Sequence, residues 1–379
     1  MSSCAKCPLR PLRDCCAGRA GGGPLGRAEQ ALRARKVLPM NGTRLSDIAA
    51  QAGVSEATVS RVLNGRPGVS ATTRQAVLSA LDLMGYERPQ RLRHRGSGLV
   101  GLVTPELDNP IFPAFAQAVE RSLVQHGLAP VLCTRLPGGA PEDEFADLLL
   151  DRGVSGIVFV SGPHADTTAR MERYIRLVER GTPIVLVDGY SEEVEAPFIS
   201  PDDRLSAALA VQHLVDLGHE RVGLAVGPRR FVPVMRKIEG FRRAMSRLLG
   251  AIDVEGMISH SLFTAEGGQA AAGALLERGC TGIVCASDLM ALGAVRACRD
   301  RGLRVPGDVS VVGFDDSPLI AFTDPPLTTI RKPIGAMAAA AVETLLEGIN
   351  GAPPKHAELL FQPELVVRGS TGSGPLVNR

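Results

Sequence analysis

Three short apolar runs in this chain stop at polar groups able to hold hydroxyls. "PIVLVD" ends on Asp188, "GIVCASD" brings Ser287 beside Asp288, and "VSVVGFDD" ends on Asp315 and Asp316. A fourth run is followed by "DNPIF", which carries Asn109 and Phe112, and Phe263 lies in "HSLFTAEGG". Fixed carboxylates and amides can bind hydroxyl pairs, and a phenyl ring can cover an apolar face, so together these groups suit a sugar. Each also has a plainer use. Strand-end Asp residues often cap the next helix, and a Phe serves as readily in a core as on a binding surface. Paired carboxylates also serve glycosidases. The chain shows no nucleophile elbow, no His-Glu-x-x-His and no glycine-rich phosphate loop, so catalysis is not expected.

A second stretch has a different chemistry. In "SEATVSRVLNG", on a helix starting at Glu56, Val59, Val62 and Leu63 face inward, while Glu56, Ala57, Ser60, Arg61 and Asn64 face outward. Small residues at a helix start allow close backbone approach. Ser and Thr hydroxyls can bond phosphates or base edges, and Arg can grip guanine with two hydrogen bonds. A merely solvated helix would carry long Glu/Lys pairs instead. The alternative use of such a face is docking against another protein.

These groups need a scaffold. The 379 residues exceed one ordinary core, so two or three domains are expected. The net charge of +2 conceals an asymmetry: residues 1–40 hold 8 Lys/Arg against 2 Asp/Glu, and residues 41–98 hold 8 against 4. The remainder is acidic, which points to an anionic partner for the N-terminal quarter, nucleic acid first. No apolar run is long enough to span a membrane, and the N-terminus lacks the apolar region of a secretory signal, which places the protein in the cytoplasm. Cys133, Cys280, Cys285 and Cys298 lie in apolar stretches and read as buried thiols. Cys4, Cys7, Cys15 and Cys16 lack the spacing of a zinc site and have no His nearby, so no metal or cofactor is expected.

Residues 43–86 read as three short helices. Leu45, Ile48, Ala49 and Ala52 form the apolar face of the first, with Thr43 as its N-cap. Gly53-Val54-Ser55 makes the turn, and the third helix turns Val77, Leu78, Leu81 and Met84 inward before Gly85 closes it. From Leu99 onward, apolar runs alternate with amphipathic segments. That pattern predicts doubly wound parallel sheets, and the length asks for two such lobes. A cleft beyond the carboxyl ends of the strands would hold the ligand. The expected division is a basic arm (1–42), a helix-turn-helix head (43–87), a hinge (88–98), a two-lobed α/β core (99–372) and a tail (373–379).

Residues 43–86 resemble the DNA-binding head of the lactose/galactose repressor family. The Asp-Ile-Ala, Ala-Gly-Val-Ser, Ala-Thr-Val-Ser-Arg-Val-Leu-Asn and Thr-Arg elements stand at that family's spacing. The resemblance continues through "LVGLVTPELDNPIFPAF", "GHERVGLAVG", "SDLMALGAVRACRDRGLRVPGDVSVVGFDDSPL" and "PPLTTIRKP" to about residue 370. In "SGPHADTTA", "RRFVPVMRKIEGF" and "SPLIAFTDPPLTT" the chain is similar to actinobacterial maltose-utilisation repressors.

The resemblance implies a core like periplasmic sugar-binding proteins, a homodimer, and a pseudo-palindromic double-stranded operator as partner. It implies repression of a sugar operon under a carbohydrate effector, maltose or maltodextrin. The same architecture with a purine-like corepressor is the alternative. It also implies base contacts from Ser55, Glu56, Ala57, Ser60 and Arg61, and phosphate contacts from Leu45, Thr58, Asn64, Ser70 and Thr73. Thr58 reads equally well as a packed helix residue. Asp188, Phe263, Ser287 and Asp315 match effector-contact positions of the family.

The chain departs from the family twice. Lys237 stands where many members place an Arg that grips the ligand, with Arg236 beside it as a substitute; a Lys offers a point charge rather than a fork. The hinge "ERPQRLRHRGSG" after Tyr86 is about three residues shorter than the family pattern. Leu92, flanked by Arg91 and Arg93, is its only large apolar residue, fit for minor-groove insertion or for resting on the core. If it inserts, Leu92→Ala reduces operator affinity and DNA bending together, since unstacking a base step is the means by which such wedges bend DNA. A circular-permutation gel-shift assay showing parental bending would reduce Leu92 to linker.

Overall fold

The computed structural model describes residues 45–63, 69–83, 98–135, 142–250 and 253–375. It separates into two compact units at Arg88. Asn64, Met84, Gly85 and Leu92, together with the arm, the hinge up to residue 97 and the last four residues, lie outside the described residues.

The first unit contains helices α1 (Leu45–Ala52), α2 (Glu56–Leu63) and α3 (Ala71–Leu83). Its core is Ile48, Ala49, Val59, Val62, Val77, Ala80 and Leu81. Gly53 adopts φ +64°, the left-handed conformation that glycine accepts without strain, and Val54 N–H donates to the Ala49 carbonyl at 3.0 Å. This reverses the chain between α1 and α2. Ser55 then accepts the Thr58 N–H at 3.2 Å, and Ser70 accepts the Thr73 N–H at 3.1 Å, as N-cap residues do. One inward expectation fails: Leu45 is 40% exposed, because the first residue of a short helix overhangs its partners, and Ala80 joins the core that the apolar pattern assigned without it.

The second unit has two lobes. In the N-terminal lobe, β1 (Leu99–Thr104), β2 (Ala129–Thr134), β3 (Ile157–Val160), β4 (Ile184–Val187) and β5 (Pro197–Pro201) join β11 (Ala357–Phe361) in the order β11-β5-β4-β3-β1-β2. Every pair in this sheet is parallel. In the C-terminal lobe, β6 (Val222–Val226), β7 (Ile258–His260), β8 (Gly282–Cys285), β9 (Ser310–Asp315) and β10 (Thr328–Arg331) are ordered β12-β10-β9-β8-β6-β7, with only β12 (Glu364–Val366) antiparallel.

Helices cover the faces: α4 (Ile111–Gln125), α5 (Glu142–Asp151), α6 (Glu172–Glu179), α7 (Asp203–Asp216), α8 (Val232–Leu249), α9 (Ala265–Glu277), α10 (Asp288–Asp300) and α11 (Ile334–Ile349). Central strands, covered on both sides, are continuous apolar runs. β2 and β11 lie at sheet edges and are half exposed.

The chain crosses between lobes between β5 and α7, between β10 and α11, and between β11 and β12. Arg236 on α8 ties the lobes together. Its guanidinium donates to both carboxylate oxygens of Glu358 on β11, at 2.6 and 2.8 Å, and both side chains are nearly buried.

The head core is small and Ile48 is fully buried within it. Ile48→Ala costs about 2–5 kcal/mol by lost burial and the cavity left behind, much of what so small a unit has. Calorimetry is expected to show the head transition lowered or lost with the core transition in place; two unshifted transitions would contradict this packing.

Candidate functional site

On the head, Ser55, Glu56, Ala57 and Arg61 are exposed on one side of α2, opposite the buried Val59 and Val62. Ser60 and Thr58 are half-buried, and the Thr58 hydroxyl lies 2.9 Å from that of Ser55. Ser70 and Thr73 form the same hydroxyl pair at 2.8 Å at the start of α3. The structure therefore gives Ser55 and Ser70 a capping use and brings Glu56, Ala57 and Arg61 to one open face. It is a face without long Glu/Lys pairs, at the N-terminal end of the second helix, which is the end that reads bases in helix-turn-helix proteins.

In the core, the carboxyl ends of strands from both lobes meet at a cleft of about 240 Å³. Asn109, Phe112, Asp188, Lys237, Phe263, Ser287 and Asp315 all line it, as do Ser161, Asp203, Phe231, Phe314 and Lys332. A groove of about 270 Å³ lies elsewhere on the N-terminal lobe, by Pro183, Leu345 and Pro353. It has no buried charged side chain among its walls, so the cleft between the lobes is the better chemical site.

Strand-end placement fixes the cleft groups. Ser161, Asp188, Asp315 and Asp316 all have φ between +46° and +117°. Residues without a glycine's freedom hold such conformations at a cost of about 1–3 kcal/mol each, and these outliers concentrate at binding sites. Asp188 Oδ2 accepts from Lys332 Nζ at 2.5 Å and from the Ser161 hydroxyl at 2.8 Å. Asp188 Oδ1 is buried without a hydrogen-bond partner, an acceptor left for a ligand. Lys237 Nζ pairs with Asp203 at the start of α7 and stands 3.7 Å from the centroid of the Phe314 ring. Burial drives the Asp315 pKa well above the carboxylate range; neighbouring Asp288 and Asp188 push it further up, while Lys332 and Lys237 oppose this. The Phe263 ring packs where a side chain on Gly227 would be, since a Cβ there would sit 2.2 Å from it.

The capping alternative resolves residue by residue. Ser287 caps α10, accepting Met290 N–H at 3.2 Å, and Asn109 Oδ1 accepts Ile111 N–H at 3.4 Å beside α4. Asp188 and Asp315 cap no helix. Asp316 is a brace, bonded to Arg331 and Arg368 at 2.7 and 2.6 Å, and Asp288 accepts from Ser317 N–H and the Thr329 hydroxyl, both at 2.7 Å. Arg236 corrects the sequence reading: it does not line the cleft, because both ends of its fork are held by Glu358.

A model of bacterial regulatory proteins of the lacI family matches residues 44–89, and one of periplasmic binding protein-like domains matches residues 211–371. The HTH-type transcriptional regulator reg1 of Streptomyces lividans is 68% identical over 338 residues, covering 88% of this chain and 98% of that protein. The HTH-type transcriptional regulator MalR of Streptomyces coelicolor is 68% identical over 337 residues, with the same shares. This chain belongs to the LacI family. As a LacI-family protein it is a DNA-binding transcriptional regulator, and its fold matches solved relatives over most of its length. The transcriptional regulator CelR–cellobiose complex has a TM-score of 0.65 at 31% identity, covering 87% of this chain and 100% of that one. The lac repressor dimer bound to operator and the anti-inducer ONPF has 0.65 at 29%, covering 88% and 100%. Among the described residues of this LacI-family chain no helix is long and apolar enough to cross a membrane, and no cluster of potential metal ligands occurs.

Sequence reading missed Asp203, Lys332, Ser161, Phe231 and Phe314. Lys332 and Phe231 lay inside segments already singled out, "PPLTTIRKP" and "RRFVPVMRKIEGF", but nothing in their spacing aimed them at the cleft. Asp203 was not singled out at all.

Asp188 and Lys332 are both nearly buried. Removing one partner of a buried pair costs about 3–5 kcal/mol, whereas replacing both with apolar groups of similar size is close to neutral. Lys332→Met is therefore expected to lower the melting temperature of the core markedly, and Asp188→Leu with Lys332→Met to recover most of it. Equal melting of parent and single variant would show that the pair does not hold the crossing.

Proposed function

We propose that this protein is a homodimeric repressor of a carbohydrate-utilisation operon, with maltose or a maltodextrin as its effector in the interlobe cleft. The observation that carries the proposal is the composition of that cleft: buried carboxylates and ammonium groups at fixed strand ends, with Asp188 Oδ1 unpartnered, beside Phe112, Phe231, Phe263 and Phe314. Alternating donors and acceptors suit a neutral polyol better than a flat heterocycle. The relative bound to cellobiose supports a disaccharide, since it shares this architecture at 31% identity.

In this reading Glu56, Ala57 and Arg61 read bases, with Ser55 and Ser60 beside them. Leu45, Thr58, Asn64, Ser70 and Thr73 position the head on phosphates, and Leu92 acts at the operator centre. Asn109, Phe112, Asp188, Lys237, Phe263, Ser287 and Asp315 hold the sugar. Two heads in a dimer read two half-sites of a pseudo-palindrome. A sugar that favours one arrangement of the lobes weakens operator binding through residues 88–98; such coupling is typically about 1–3 kcal/mol. The protein acts by binding and leaves its sugar unchanged.

Calorimetry with maltose, maltotriose, cellobiose and nucleobases, alongside footprinting upstream of sugar-utilisation genes, tests the proposal. Heat from nucleobases alone would replace the sugar reading with the corepressor one. Asp315→Ala is expected to weaken sugar binding by about 5- to 150-fold, the effect of leaving a buried hydrogen-bond partner unsatisfied at about 1–3 kcal/mol. Repression would then persist when sugar is added. Parental sugar affinity in this variant would place the sugar elsewhere.

A further inference from the structure

Two of the segments that mark this chain's particular resemblance, "SGPHADTTA" and "RRFVPVMRKIEGF", come from different lobes and meet at the solvent edge of the cleft. Asp166, in the loop after β3, pairs with Arg230, in the loop between β6 and α8, at 2.7 Å. The backbones join as well. Asp166 and Phe231 form an antiparallel bridge, and both the N–H and the hydroxyl of Thr167 donate to the Arg230 carbonyl at 2.9 Å.

Each side of this junction is anchored in its own lobe. Asp166 Oδ1 accepts from the Thr168 N–H and hydroxyl at 2.9 and 2.7 Å, which holds the loop and leaves Oδ2 for Arg230. Beneath that loop His164 is fully buried, with Nε2 2.9 Å from the Val187 carbonyl. On the other side, Arg230 lies over the Phe231 ring, 4.7 Å from its centroid, and Phe231 stands 6.2 Å from Phe263. Phe231 and Ala165 both line the cleft, one from each lobe.

We propose that Asp166 and Arg230 form a latch across the cleft edge that seats Phe231 as an aromatic wall over the bound effector and sets how fast the effector leaves. The proposal rests on the cleft being the effector site. Arg230 is a positioning residue: it touches the outer side of Phe231, not the sugar. Its guanidinium joins the ring on its own lobe to the carboxylate of the other, so opening the lobes must break the ion pair and the two Thr167 bonds, one of them the bond of the backbone bridge, together. An isolated exposed ion pair contributes little; here the pair shares its opening event with the bridging main-chain bond from Thr167 N–H and the bond from the Thr167 hydroxyl, both to the Arg230 carbonyl.

The test uses the full-length protein with maltose as the probe. The rate of maltose release, read from NMR line broadening, is expected to rise about three- to tenfold in Asp166→Asn and in Arg230→Gln, with the association rate little changed. Asn keeps the acceptor for Thr168, so the loop turn survives. The double variant is expected to be no faster than either single one, because both remove the same contact. Unchanged release, or additive effects in the double variant, would overturn the latch. Hydrogen exchange of the Thr167 amide, which is bonded across the junction, gives a readout that needs no sugar: it is expected to quicken in both single variants, and parental exchange would overturn the latch too. If the parent binds no maltose yet exchange responds as expected, the latch stands and the effector assignment falls.

Discussion

Burial of charge where the chain passes between lobes governs the rest of this structure. Asp188 stands at the end of a strand of the N-terminal lobe, and Lys332 lies where β10 gives way to α11; both are nearly dry. Asp203, where β5 gives way to α7, meets Lys237 of the C-terminal lobe in the same way. A buried charge without a partner is strongly destabilising, so each lobe depends on a residue at a crossing to neutralise it. The polar cleft and the crossing segments are consequently one electrostatic system. On the proposed function, a sugar hydroxyl that donates to Asp188 would share that carboxylate with Lys332, which lies on a crossing segment.

The same system explains where backbone strain is held. Ser161 and Asp188, which are hydrogen-bonded to one another, both have positive φ, and so do Asp315 and Asp316 across the cleft. A strand that simply ran on would carry these side chains alternately to its two faces. The left-handed residue turns the chain at the strand end and keeps the carboxylate over the cleft. Parallel pairing on both sides holds the preceding residues, from Ile184–Val187 and Ser310–Phe314, so the strain cannot relax by shifting the strand. The ion pairs and braces, Asp316 to Arg331 and Arg368 among them, hold the turned residues in place.

What the sequence discloses follows from the same physics. Six apolar runs mark six central strands, because a strand covered on both faces must be apolar throughout. The edge strands β7, β11 and β12 leave no such trace, and neither do β5 and β10, whose PFISP and TTIR interrupt the apolar run with Pro, Ser and Thr. The head was legible because a helix of eight residues with two buried valines has only one way to face inward. In the cleft, Asp188, Ser287 and Asp315 were found because they end apolar runs, while Asp203 and Lys332 follow strands that the pattern did not disclose. Arg236 and Lys237 were legible as a pair but not as a choice. Neighbours on a helix point about 100° apart, and only the distant Glu358, on an edge strand that sequence periodicity does not mark, decides which of them faces the cleft.

The aromatic content sharpens the chemical reading. The chain has no Trp and 11 Phe, and four of the Phe residues line one cleft. Two of these pack on the C-terminal core and also carry a cation over the ring: Phe314 under Lys237, and Phe231 under Arg230. A cation over one side of a ring is attracted to it, so each of these rings is linked to an ion pair, Lys237 to Asp203 and Arg230 to Asp166. On the proposed function, apolar surface for a sugar ring and the contacts that join the lobes would be vested in the same side chains. A ligand that lacks an apolar face would engage the carboxylates without loading Phe231 or Phe314, and would bind without drawing on the contacts that join the lobes.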